Sequence, residues 1–102
     1  MELELRRHRI RAGCIDEFLE AWLGGVVPLR RRFGFVVLGA WVVEEADELV
    51  WILGYDGSDG LASADRRYYV SYERRALDPD PAQWFVSSEG ARLRQVLEPD
   101  VL

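Results

Sequence analysis

The sequence predicts an α+β fold of ferredoxin-like type, its elements running strand, helix, strand, strand, helix, strand. Three observations carry this expectation. Residues 2–10 alternate as a strand does, although most of them are charged. Two runs with helical spacing, 15–32 and 61–72, make up the helical part. Between them lie two strands, 35–43 and 49–55, that are apolar almost throughout. Right-handed crossovers then place the first and third strands in the middle of the sheet. A charged strand is thus expected at the centre of the domain, where charge must be paired, hydrogen-bonded or functional.

In the first strand Leu3 and Leu5 point one way, and Glu2, Glu4, Arg6 and His8 the other. Ala12-Gly13 makes the turn that follows. Ile15, Phe18, Leu19, Trp22 and Val26 share one helix face, with Asp16 and Glu17 early, where the helix N-terminus favours them. Gly24-Gly25 and Pro28 should loosen or kink this helix. It resumes through Leu29 to Arg32, with Arg30-Arg31-Arg32 as a solvated basic end and Gly34 as the stop.

Phe35 to Val43 and Leu49 to Tyr55 carry the β-branched and aromatic residues that strands prefer, and Glu44-Glu45-Ala46-Asp47-Glu48 reads as their hairpin connection. Asp56-Gly57-Ser58-Asp59-Gly60 reads as a loop in which Ser58 or Asp59 caps the second helix, Leu61 to Tyr72. A short helical turn around Ser71 to Ala76 is broken by Asp78-Pro79-Asp80-Pro81. One more turn over Ala82 to Ser88, a last strand from Gly90 to Leu97 and a short tail, Glu98 to Leu102, complete the chain.

A length of 102 residues implies one domain, 1–102, whose core is small enough that pairing with a second copy would help its stability. The net charge of −5 disfavours nucleic acid and anionic membranes as partners. No apolar run approaches the roughly 20 residues of a membrane span, and the acidic, alternating start is unlike a signal peptide. A soluble cytoplasmic protein is the resulting expectation. There is no Lys, Asn or Thr, and all 13 basic residues are Arg. Depletion of Lys and Asn fits a GC-rich bacterial genome, and without Lys there is no lysine Schiff base. One Cys and one His exclude a Cys- or His-rich zinc site within one chain, and Cys14 reads as a packing residue. No metal or cofactor is expected.

Neither hairpin strand alternates with polar residues, so both of its faces should be covered. One helix layer covers one face; a second sheet packed against the other, in a homodimer through sheet faces, would cover the rest.

Several segments resemble NIPSNAP-type domains: Glu4-Leu5-Arg6, Arg11-Ala12-Gly13, Phe18-Leu19-Glu20-Ala21-Trp22, Gly39-Ala40-Trp41 and the run Val50 to Asp56. The likeness continues through Ala64-Asp65-Arg66-Arg67-Tyr68-Tyr69, Glu73-Arg74-Arg75 and Leu77-Asp78-Pro79-Asp80-Pro81. It implies the dimeric α/β barrel, in which two ferredoxin-like protomers join their sheets. That group includes cofactor-free monooxygenases, haem-degrading enzymes, polyketide cyclases and isomerases, and the NIPSNAP branch brings no agreed catalytic set. His8 stands where the family commonly has an aromatic residue such as Tyr, and Ala12 replaces the Pro of its usual turn. The Asn of the haem-degrading pattern is missing altogether.

His8 is the leading acid–base candidate, because its ordinary pKa of about 6.5 allows proton transfer near neutrality. Arg6 shares its face and would stabilise an anion; Glu4 completes the row. A paired polar cluster is the competing reading. Asp65 precedes Tyr69 by one helical turn, so their contact would orient the phenol as a general acid; pairing of Asp65 with neighbouring arginines competes. Trp22, Trp41, Trp51, Tyr55, Tyr68 and Trp84 are the candidate binding aromatics, with Trp41 and Trp51 walling a pocket between sheet and helices. Core packing is the alternative for each.

The function expected is that of a small cofactor-independent enzyme of bacterial secondary metabolism. It would act by proton transfer (cyclisation, isomerisation or aromatisation) on an apolar, aromatic or polyketide-like small molecule. The alternatives are a non-catalytic small-ligand-binding or interaction domain, or a cofactor-free monooxygenase of the same fold.

Overall fold

The computed structural model of the chain describes residues 1–101; the last residue of the tail, Leu102, lies outside them. Four antiparallel strands, β1 (Glu2–Ile10), β2 (Val36–Val43), β3 (Glu48–Tyr55) and β4 (Phe85–Leu93), form one sheet in the order β2-β3-β1-β4. Helices α1 (Ile15–Ala21), α2 (Val27–Arg32), α3 (Leu61–Val70) and α4 (Tyr72–Arg75) complete the chain. The element order and the two central strands are those expected from the sequence, and the fold is ferredoxin-like. No helix among the described residues is long and apolar enough to cross a membrane.

Residues opposite each other in an antiparallel ladder share a face. Arg6 pairs with Trp51 and His8 with Leu49, so the polar row of β1 looks into the core. There Phe18, Trp22, Leu29, Leu53, Leu61 and Tyr68 are buried from the helices and β3. Leu3 and Leu5 look the other way. On that open face Val36, Leu38, Trp41 and Val43 of β2 stay exposed, although all are large and apolar.

Gly24-Gly25 and Pro28 act as expected, but with a consequence the sequence reading did not contain. Residues Trp22–Val26 form a π-helical segment between α1 and α2, since Pro28 has no N–H to continue the α-helical ladder. Arg30 comes twelve residues after Phe18, so in an unbroken helix it would stand about a third of a turn away. The extra residue of the π-bulge takes that offset back. Arg30 is thereby 1% exposed, not the solvated helix end expected, while Arg31 and Arg32 are solvated. Gly34, at φ 89°, ends α2 in a conformation open to glycine.

Two further boundaries moved. No side chain of the Asp56–Gly60 loop caps α3; Glu2 Oε1 accepts the Leu61 N–H at 2.7 Å, which ties the start of β1 to that helix. Asp59 instead accepts from the Tyr55 hydroxyl at 2.7 Å. β4 begins at Phe85, not Gly90, because the turn over Pro81–Trp84 is complete after four residues: Asp80 Oδ1 accepts from Ala82 N at 3.0 Å and Pro81 fixes the entry. The strand ends at Leu93, opposite Leu3, where β1 runs out.

Candidate functional site

The inward row of β1 forms the floor of a cleft of about 390 Å³ between β4 and α3. Glu4, Arg6 and His8 line its base, Ser88 to Gly90 one side, Asp65 and Tyr69 the other, and Phe85 one end. Behind it lies an inner cavity of about 70 Å³ that shares His8, Tyr69 and Phe85 with the cleft. Its other walls include Trp22, Arg30, Trp51 and Tyr68. A wider depression of about 630 Å³ lies between the π-bulge and Asp78-Pro79, but its polar side chains are all exposed. Size alone is therefore a poor guide to the site.

His8 is 6% exposed and both its ring nitrogens are engaged. Trp51 Nε1 lies 2.9 Å from Nε2, and Ser88 Oγ 2.7 Å from Nδ1. An indole N–H only donates, so Nε2 is the acceptor and the ring hydrogen sits on Nδ1, donating to Ser88. The ring stacks on Phe85, centroids 4.3 Å apart and 4° from parallel. Burial, reinforced by the nearby charges of Arg6 and Arg30, lowers the pKa of His8 to about 4, so the imidazole is neutral at pH 7. In this tautomer the lone pair that takes up a proton faces Trp51 in the core, and the cleft side presents the Ser88 hydroxyl.

Below and beside His8 runs a network of ions. Arg6 Nε donates to Glu4 Oε1 at 2.7 Å, its Nη2 pairs with Asp65 Oδ2 at 2.9 Å, and its Nη1 donates to the Tyr69 hydroxyl at 3.3 Å. Burial works against the charge of Arg6, but the bonds and charge of Asp65 more than offset it and raise its pKa. Asp65 also accepts from Arg30 Nη1 at 2.7 Å. Arg30 in turn lies over the Tyr68 ring at 3.7 Å, a desolvated cation–π contact of about 2 kcal/mol. Two arginines and two carboxylates balance, which is how a central strand tolerates this row.

The expected residues divide. Arg6, His8, Asp65 and Tyr69 meet in the cleft, and Trp22, Trp51 and Tyr68 line the inner cavity. The Tyr69 phenol is held by Arg6 rather than by the direct Asp65 contact expected. The partners of Asp65 are the distant Arg6 and Arg30, not its neighbours in sequence. Trp41, expected beside Trp51, is on the opposite side of the sheet and 57% exposed. A β-bulge between Val37 and Gly39 pairs Ala40, not Gly39, with Trp51, so Trp41 falls opposite Val50 on the open face. Gly39 accommodates it there: a Cβ at that position would come within 2.6 Å of the Trp41 ring. Tyr55 packs against Phe35 and Asp59, away from the cleft. Trp84 lines the exposed depression.

Ser88, Phe85 and Arg30 are site residues that the sequence pattern does not single out. The sequence predicts a turn over Phe85 and Ser88 and a solvated helix end at Arg30. The Gly24-Gly25-x-x-Pro28 spacing was the available signal for Arg30, since it predicts a break in phase. For Ser88 only the cross-strand pairing with His8 carries the information. Cys14 is free and packs against the core edge. Among the described residues no group of His, Cys, Asp and Glu is arranged to hold a metal ion.

The fold and cleft define the class: a small ferredoxin-like α+β domain with a polar-floored cleft between sheet and helices. More particularly, solved NIPSNAP proteins share this fold. A NIPSNAP domain protein of Burkholderia xenovorans is 22% identical, with 98% of this chain and 100% of that one covered and a TM-score of 0.82. A NIPSNAP family protein of Agrobacterium tumefaciens is 21% identical over 91% and 90%, with a TM-score of 0.79. An antibiotic biosynthesis monooxygenase is 15% identical over 95% and 100%, with a TM-score of 0.68. The resemblance noted in the sequence thus returns in the fold. The sequence matches no protein-family profile and no curated relative.

Proposed function

We propose that this protein binds a small apolar or aromatic compound carrying an oxygen function, and that it moves a proton on it without a cofactor, as in a cyclisation, isomerisation or aromatisation of bacterial secondary metabolism. The observation that carries this reading is the cleft itself. Its volume of about 390 Å³ exceeds the roughly 300 Å³ a drug-sized ligand needs, and hydroxyl groups stand on both of its sides. His8 then acts by position: its Nδ1–H fixes Ser88 Oγ as an acceptor, which leaves the serine hydroxyl hydrogen to donate into the cleft. The Tyr69 phenol, held on Arg6, is the second donor, and Glu4 is the carboxylate within the same floor to receive a proton. Phe85 and Tyr69 supply apolar walls.

Homodimerisation through the open sheet face belongs to the same proposal. Val36, Leu38, Trp41 and Val43 form a contiguous apolar strip on β2 that water would otherwise wet. A non-catalytic ligand-binding domain is the second reading, favoured by the engagement of both His8 nitrogens. A cofactor-free monooxygenase has the shared fold behind it, and fold alone carries no chemistry.

The test uses small 1,3-diketones and β-ketoesters in deuterated buffer. Exchange at the acidic carbon, followed by NMR, is expected to run faster with protein than without, and to lose most of that acceleration in Ser88→Ala and Glu4→Gln. Binding with no acceleration of exchange selects the non-catalytic reading. Absence of both binding and exchange removes the proposal.

A further inference from the structure

Two buried polar atoms have no protein partner among the described residues: Arg30 Nε and the Tyr68 hydroxyl. Both side chains are almost wholly enclosed, at 1% and 0% exposure. Both line the same inner cavity of about 70 Å³. Leaving such groups unmatched costs about 1–3 kcal/mol each, and more for a charged one. A core with no use for them would hold a Phe at 68, which fills the same space without the hydroxyl.

The surroundings narrow what they would bind. Arg30 spends one terminal nitrogen on Asp65, and Arg74, on another wall, is paired with Asp80 at 3.1 Å. No carboxylate lines the inner cavity, and His8 on its wall is neutral. Burial pushes the Tyr68 phenol up to about 12, so it keeps its proton and stays a donor. The outer cleft has the opposite character, with Glu4, Asp65 and Glu89 against Arg6 alone. A fully anionic ligand is repelled at the mouth; a neutral one whose charge develops on a single inner oxygen is not.

We propose that the inner cavity is an oxyanion pocket: Arg30 Nε–H and Tyr68 O–H together receive one electron-rich oxygen of a phenol, enol or carbonyl compound whose apolar body lies in the outer cleft between Tyr69 and Phe85. This rests on the reading of the cleft as the ligand site, and it names the substrate class. The ligand is neutral in solution, has one acidic or carbonyl oxygen at its leading end, and becomes anionic only when bound. Two charge-assisted or strong donors in a dry setting are the arrangement that stabilises such an oxygen.

4-Nitrophenol, whose phenolate absorbs in the visible, and nitrobenzene, which lacks the oxygen, are the probes. Bound 4-nitrophenol is expected to ionise about one unit lower than free probe, so that the phenolate binds about tenfold more tightly than the phenol. Tyr68→Phe should remove most of that preference and leave nitrobenzene binding unchanged. The same variant without ligand should melt no lower than the wild type, because the hydroxyl it loses has no partner. A clear loss of stability in Tyr68→Phe would mean a structural role and would overturn the pocket. An equal response of the two probes to Tyr68→Phe, or no shift in ionisation, overturns the pocket and leaves the outer cleft standing. Failure of both probes to bind at millimolar concentration removes the cleft reading, and this one with it.

Discussion

Trp51 donates its indole hydrogen to His8 Nε2 at 2.9 Å, and through this bond a core tryptophan decides which nitrogen of the only histidine carries the ring hydrogen. The consequence reaches Ser88, since a ring hydrogen on Nδ1 obliges the serine oxygen to accept. A residue on β3 thus orients a hydroxyl on β4, two strands away.

Acid lability should follow from His8. Its folded pKa of about 4 lies below the ordinary 6.5, so between those values the unfolded chain binds a proton that the folded one refuses. Stability is therefore expected to be whole above pH 6.5 and to fall by about 3 kcal/mol as pH drops to 4. Denaturant midpoints across this range check it. His8→Phe should flatten the slope there, whatever its effect on absolute stability. Glu2 and Asp59, held below the ordinary carboxylate pKa by the Leu61 N–H and the Tyr55 hydroxyl respectively, begin to lose their contribution as pH falls through 4.5 and 3.8, and do so equally in the variant.

Trp51→Phe takes the donor away from Nε2 and so removes one bond that favours the neutral ring. The His8 pKa should rise by about one unit. Because the chain has a single histidine, one imidazole resonance followed by NMR titration reports it without assignment. An unchanged pKa would mean that burial and the Arg6 and Arg30 charges set the value alone.

Asp65 is the shared counterion of two buried arginines. Asp65→Asn leaves both charges undercompensated and is expected to cost about 3 kcal/mol. Asp59→Asn, which breaks an exposed pair with Arg67, should cost far less. Thermal melts of the two variants beside the wild type make the comparison. Similar losses would show that the Asp65 network is solvated in solution.

Trp41 stands on the open face of the sheet, where the proposed partner would cover it. Trp41→Glu should convert a dimer into a folded monomer in sedimentation experiments. A wild-type protein that is monomeric at micromolar concentration would end the dimer proposal.

The strand order, the two central strands and the hairpin could all be read from residues 2–10, 35–43 and 49–55, because period-2 alternation and unbroken apolar runs are local signals. The break at Gly24-Gly25-x-x-Pro28 was equally legible. Its effect on Arg30 was not, since one extra residue in a helix leaves composition unchanged and turns everything downstream by about a quarter of a turn. The same holds for Leu38, whose bulge sends Trp41 to the far face in a run so uniformly apolar that no alternation marks the shift.

The sequence by itself determined that a polar row, Glu4-Arg6-His8, lies on a central strand, and that the hairpin beside it needs cover on both faces. Only the tertiary structure decided what pairs with that row: Asp65 from α3, Ser88 from β4, Trp51 from β3 and, through Asp65, Arg30 from α2. Periodicity reports which way a side chain points within its own element. Which partner it meets is set by register, bulges and helix phase, and these are settled only when distant segments pack together.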